Sequence, residues 1–225
     1  MSKTVGVILS GCGFMDGAEI QESVCTLLAL DRAGATIKCF APDSEFDVID
    51  HRTGKPTGEK RNALAESARI CRGDIEDVAQ AQADELDALV MPGGYGAAKV
   101  LSDFAEKGDA CEADPDVARL LRDMYAAGKP IGAICIAPAV VARALGEHHP
   151  TLTIGNDEGT ATALEAMGCI HADCPTEEFI LDKENKIVST PAYMLGPTIA
   201  HVQQGIEKTV NEVLAMVPES LSRSA

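Results

Sequence analysis

A cysteine, two glutamates and a pair of glycines are the residues of this 225-residue chain whose types and spacing can do chemistry. Cys135 stands in Lys129-Pro-Ile-Gly-Ala-Ile-Cys135-Ile-Ala-Pro138, an apolar run that reads as a strand ending at the cysteine. A helix is expected directly after it. Ala133 and Ala137 flank the thiol on either side. Small side chains there permit the sharp strand-to-helix turn of a nucleophile elbow. A thiol on that turn faces the amino end of a helix, where partial positive charge favours thiolate. The same residue also reads as an inert buried cysteine, because cysteine is among the most buried residue types.

Pro92-Gly93-Gly94-Tyr95-Gly96 ends a second strand. Adjacent glycines let the backbone approach a ligand and aim N–H groups at an anion, as an oxyanion hole or a carboxylate cradle requires. The text matches neither GxxxxGK[ST] nor a clean GxGxxG, which argues against phosphate. A tight turn without function remains the alternative. Glu19 and Glu22 lie three residues apart and share one helix face near its start. Acidic residues in a first turn also serve merely to favour the helix dipole.

The elements that must position these groups alternate along the chain. Val5–Leu9 reads as a buried strand followed by Ser10-Gly-Cys-Gly13. A helix is predicted from Gly17 to Ala33, with Asp16 as its cap and Ile20, Val24, Leu27, Leu28 and Leu30 at helical spacing. Thr36–Ala41, Ala88–Met91 and Ile131–Ile134 read as further strands. A surface hairpin is expected in Asp47–Gly58 and another around Asp-Lys-Glu-Asn185. Helices are predicted over 62–72, 97–106, from Asp114-Pro115 to Gly128, over 137–145, 157–167 and 198–216. Leu152–Ile154 and Ile170–Ala172 continue the alternation. Repeated βα units with short loops predict one three-layer α/β domain over residues 1–217, around a mostly parallel sheet. Sites in such sheets form at the carboxyl ends of the strands. Residues 218–225 read as a frayed tail.

With 35 acidic and 19 basic side chains the formal charge is −16, which disfavours nucleic acid and anionic lipid surfaces as partners. No stretch approaches the about 18 apolar residues of a membrane span. The eight cysteines lack CxxC spacing, so free thiols in a reducing cytoplasm are the expectation. Cys169-Ile-His171-Ala-Asp173-Cys174 clusters ligand types, yet it reads as a strand end with buried thiols rather than as a metal site.

Taken together, the stretches Gly6–Gly13, Asp16–Ile20, Val90–Lys99, Cys135–Pro138, Leu152–Gly155 and Thr190–Met194 resemble the DJ/PfpI group of the class I glutamine amidotransferase-like superfamily. The match is nearest to its Elb-type branch, the isoprenoid-biosynthesis glyoxalases, and runs from about Lys3 to Val217. The resemblance implies a flavodoxin-like three-layer sandwich with Cys135 on the elbow. It assigns Glu22 to the thiol, with Glu19 the alternative, and Gly94, Tyr95 and Ile136 to the backbone donors. Gly11, Cys12, Glu19 and Gly93 are the expected substrate contacts. It also implies a homodimer and a cofactor-free conversion of glyoxal to glycolate, with a small aldehyde as substrate and no metal. Ile136 stands where many superfamily members carry histidine, and no histidine falls in Leu152–Gly155. A glutaminase triad needs such a histidine to receive and return a proton. Amidotransferase activity is therefore not expected, and His148, His149, His171 and His201 are left without a role. A redox-sensitive thiol that binds a metabolite or partner is the alternative function, and hydrolysis of a small amide or ester a third.

Overall fold

The computed structural model describes residues 2–218. Most of the frayed tail expected at the carboxyl end, residues 219–225, lies outside the described residues. The chain begins β1 (Thr4–Ile8), α1 (Ile20–Arg32), β2 (Thr36–Ala41), β3 (Glu45–Asp50), β4 (Lys55–Asn62), α2 (Ala63–Ser67) and β5 (Glu76–Asp77). It continues β6 (Ala88–Met91), α3 (Tyr95–Lys99), α4 (Phe104–Lys107), α5 (Pro115–Ala126), β7 (Ile131–Ile134) and α6 (Pro138–Leu145). Then follow β8 (Thr151–Leu152), α7 (Glu158–Ala166), β9 (Ile170–His171), β10 (Ile180–Asp182), β11 (Ile187–Thr190) and α8 (Ile199–Met216).

Seven strands form the central sheet in the order β10-β11-β7-β6-β1-β2-β5, parallel except for β10. Side chains alternate across it, as strand geometry requires. Val5, Val7 and Val90 join Leu30, Ile206 and Val210 in the core under α1 and α8. Ile8, Leu89, Met91 and Ile131 join Leu120, Met124 and Val141 in the core under α5 and α6. This is the flavodoxin-like α/β/α sandwich. The hairpin β3–β4 stands outside the main sheet, and β8 and β9 make a small parallel pair of their own. Among the described residues no helix is long and apolar enough to cross a membrane.

Four local expectations are corrected. Helix α1 starts at Ile20 and is capped by Glu19, whose carboxylate accepts the Glu22 N–H at 2.6 Å. Asp16 instead accepts the N–H of Ile49 at 2.7 Å and anchors the hairpin. Only part of the apolar stripe of α1 faces the core: Leu30 is buried and Leu27 packs against the core, but Ile20, Val24 and Leu28 are exposed, while Glu22, Ser23, Cys25, Thr26 and Ala29 are buried. The small buried side chains let α1 lie close to the sheet, and the Ser23 and Thr26 hydroxyls donate to the carbonyls of Glu19 and Glu22. The helix expected over 97–106 is two short helices, α3 and α4, and the one expected over 62–72 shrinks to Ala63–Ser67.

Candidate active site

Strands β1, β6, β7 and β11 end on the same edge of the sheet, and the residues just past those ends meet there. Cys135 follows β7 with φ +63°, in the left-handed region that a residue with a Cβ rarely adopts. Its N–H donates to Thr190 O at 2.9 Å, which ties the turn to the end of β11. Helix α6 starts three residues later at Pro138. The elbow read from the flanking alanines is thus present, and it turns the thiol towards the α1 side of the sheet.

Glu22 comes to that thiol from α1. Its side chain is fully buried. One carboxyl oxygen accepts the Gly93 N–H at 3.0 Å and the other the Tyr193 N–H at 3.1 Å. Burial lifts its pKa to about 7, with the nearby Glu19 charge adding to the rise. Hydrogen bonds from Tyr193, Cys135 and Gly93 hold it from rising further. Cys135 is pushed well above an ordinary thiol by burial and by the Glu22 charge. The N–H groups of Gly94 and Ile136 pull in the opposite direction but do not prevail. Burial and the neighbouring carboxylate thus oppose the pull of the helix terminus towards thiolate. The two groups titrate as one system. When Glu22 holds the proton its charge no longer opposes the thiolate, and the two backbone donors remain to receive it.

Gly93 is the spacer that allows this. A Cβ on it would collide with Cys135 Cβ and stand 2.9 Å from both Cys135 Sγ and a Glu22 oxygen. Gly94, at φ +92°, runs so close to Gly17 and Glu19 that no side chain fits there either. The carbonyl of Gly93 accepts the Glu19 N–H at 2.9 Å, so the start of α1 is fixed to the glycine turn. Of the two glutamates, Glu22 is the one at the thiol, and Glu19 is its capping neighbour on the cavity wall.

The thiol opens onto a cavity of about 400 Å³ that Phe14, Glu19, Tyr95, Phe104, Tyr193 and Met194 help to line. Gly94 and Ile136 reach it as expected. Tyr95 lines it with its side chain, but its N–H is taken by Phe14 O at 2.7 Å, so it is no oxyanion donor. Gly11 and Cys12 are not brought to the thiol. Gly11 N–H donates to Ser67 Oγ at 2.8 Å, and Cys12 lines a separate cavity with Asp16, His51 and Arg61. None of the five histidines lines the thiol cavity. His171 is held by Ile154 N–H at 3.4 Å, His148 stacks on Tyr125, His149 bonds to Gly168 O, and His201 to Thr198. Sequence reasoning missed Tyr193, whose backbone supplies half of the Glu22 cradle. Its signal was the stretch Thr190-Pro-Ala-Tyr-Met194 at the end of β11, quoted without a role.

A parallel α/β sandwich with a cysteine on the elbow and no histidine partner defines a class, the glutamine amidotransferase-like class 1 fold without the amidotransferase triad. The chain belongs to the DJ-1/PfpI family, whose model matches residues 12–154. It is 43% identical to the human protein called glutamine amidotransferase-like class 1 domain-containing protein 3, mitochondrial, over 94% of this chain and 82% of that protein. That name places the human protein in mitochondria and says nothing of the compartment of this chain. A crystal structure of an isoprenoid biosynthesis protein with amidotransferase-like domain from Ehrlichia chaffeensis superposes with a TM-score of 0.90 at 40% identity, covering 96% of this chain and all of that one. Glyoxalase III from Candida albicans shares the fold, with a TM-score of 0.64 at 13% identity over 96% of this chain and 98% of that one.

Proposed function

We propose that the chain is a cofactor-independent, glyoxalase-like enzyme that converts glyoxal to glycolate on Cys135 and Glu22. The observation that carries this reading is the pairing of an elbow thiol with a buried carboxyl whose pKa is about 7, beside a partly open, mostly apolar cavity. A group poised near neutrality can both take and return a proton.

In the proposed cycle the Glu22 carboxylate takes the Cys135 proton as Sγ attacks one aldehyde carbon. The oxygen of the resulting hemithioacetal is received by the N–H groups of Gly94 and Ile136. Glu22 gives the thiol proton to the hemithioacetal oxygen and, a carboxylate again, removes the hydrogen from that carbon as a proton and passes it to the second aldehyde oxygen, so that the enediol forms. Return of a proton to the second carbon leaves a thioester of glycolate. Water cleaves it, releasing glycolate and the thiol. Glyoxal and one water are consumed, glycolate is formed, and no electron leaves the pair. With Glu22 as the only acid–base group at the sulfur, each proton passes through one carboxyl, so turnover is slow.

The test is a glycolate assay on purified protein. Cys135→Ala is expected to abolish product and Glu22→Gln to reduce it at least about a hundredfold, the usual scale of a lost general acid–base. Unchanged glycolate formation in Cys135→Ala overturns the proposal.

A further inference from the structure

Away from the active-site edge, a pair of cysteines shares one groove beside α1. Cys39 lies on β2, nearly buried, with its side chain on the α1 side of the sheet. Cys71 sits in the turn after α2 and is partly exposed. Directly beyond it the backbone reverses through left-handed Arg72 and Gly73, at φ +60° and +87°. Both thiols line one open groove of about 380 Å³, whose walls include the exposed Val24 and Leu28 of α1 and the Arg72 side chain. Each of the two thiols is the neighbour that most perturbs the ionisation of the other. Cys71 Sγ donates to Ser67 O at 3.3 Å.

We propose that Cys39 and Cys71 are a dithiol site that hydroperoxides convert to a reversible intramolecular disulfide. The groove admits the oxidant to Cys71, and the nearly buried Cys39 lines the same groove. Ionisation is divided in the same sense. Cys39 is driven up, first by its neighbour Cys71 and then by burial, whereas Cys71 is drawn down by that same neighbour. Asp74 is the charged neighbour of both, and it opposes ionisation of each. Of the eight cysteines, only Cys71 is shifted towards thiolate. The thiolate is the form that attacks peroxides.

The chemistry balances as follows. Cys71 sulfur attacks the outer oxygen of the hydroperoxide. The O–O bond breaks, the departing oxygen leaves as an alcohol or water, and Cys71 becomes a sulfenic acid. Cys39 sulfur then attacks Cys71 sulfur. The S–O bond breaks, water leaves, and the disulfide forms. The two thiols give up two electrons and two protons, and the peroxide is reduced by the same two electrons. This site does not depend on the reading of Cys135.

The experiment treats the full chain with hydrogen peroxide, blocks remaining thiols with N-ethylmaleimide, and maps the peptides by mass spectrometry. The expected result is one pair of peptides joined through Cys39 and Cys71, two hydrogens lighter than the separate thiols and released by dithiothreitol. Two of the eight free thiols disappear from a denatured thiol count. Cys135→Ser keeps the joined pair, Cys71→Ser abolishes it, and Cys39→Ser leaves a sulfenic acid on Cys71 that dimedone captures. The wild-type map decides the matter even if a variant misfolds. Peroxide that leaves Cys71 alkylated, or carries it to sulfinic acid with no joined pair, overturns the proposal, as does a link that forms only after denaturation.

Discussion

Replacing Glu22 by glutamine keeps the shape of the buried side chain and removes its proton equilibrium. In the unfolded chain this carboxyl titrates near 4.5, and in the folded protein at about 7. At ~1.4 kcal/mol for each tenfold change in proton affinity, the difference is about 3 kcal/mol. The native state holds the proton more tightly, so it binds more protons than the unfolded chain between these two values. Stability contributed by Glu22 is complete below the unfolded value and declines as pH rises through the folded one. Glutamine has no proton to lose and lacks this decline. It carries a different cost, because both carboxyl oxygens accept backbone N–H groups and an amide offers only one oxygen. Its NH2 group must face either Gly93 or Tyr193, at about 1–3 kcal/mol independent of pH. Urea unfolding of both proteins from about pH 4.5 to about pH 8 measures the comparison. Glu22→Gln is expected to be the less stable protein at the acid end. The gap closes by about 3 kcal/mol towards the alkaline end and cancels or reverses there. Two stability curves that run parallel across this range would refute both the burial argument and the role of Glu22 as a proton carrier near neutrality.

Gly93→Ala places a methyl group against Cys135 Cβ, Cys135 Sγ and Glu22 at once. It is expected to cost about 1–3 kcal/mol in thermal or urea unfolding and to remove most glycolate formation, because the thiol and carboxyl are forced apart. Wild-type stability and turnover in that variant would contradict the spacing argument. The cavity at the thiol is larger than glyoxal and carries Phe14, Tyr95 and Phe104 on its walls. Phenylglyoxal, whose ring can bury against them, is therefore expected to show a KM about tenfold below that of glyoxal, and equal values would remove the apolar wall as a binding surface.

The sheet was legible because its signal is one-dimensional. A parallel strand covered on both faces is a short, continuous apolar run, and Ala88–Met91 and Ile131–Ile134 each read that way and fold that way. Cap chemistry was equally local at α5, where Asp114 accepts from Asp116 and Val117 and Pro115 opens the helix. Legibility failed where a distant partner set the outcome. Asp16 looked like the cap of α1, but Ile49, on a hairpin far along the chain, claims its carboxylate. Residues 97–106 carry a helical pattern, yet Leu101 is buried between α3 and α4 and Ser102 folds its hydroxyl onto Ala97 O at 2.9 Å, ending the first helix.

The site was half legible for a related reason. The cysteine announced itself through alanines two residues away, since the tightness of an elbow is a local steric demand. The glutamate was marked by its spacing from Glu19 and by the resemblance, but its burial was not. Of the apolar positions at helical spacing in α1, Leu30 is buried and Leu27 half-buried, whereas Ile20, Val24 and Leu28 are exposed. The buried face mixes Cys25, Ala29 and Leu30 with Glu22, Ser23 and Thr26, residue types that ordinarily mark a solvated surface. A helix buries such a face only if each polar group finds a partner inside. Here Ser23 and Thr26 bond within the helix, and the Glu22 carboxyl is met by Gly93 from the end of β6 and by Tyr193 from beyond β11. Two separate strand ends are thus required before one carboxyl can be buried. Together with the end of β7 they bring Cys135, Gly94 and the cavity wall into place. The polar buried face of α1 and the raised pKa of Glu22 have one cause: an acidic side chain is held in the core by backbone donors at a cost in ionisation, and that cost makes it a proton carrier near neutral pH.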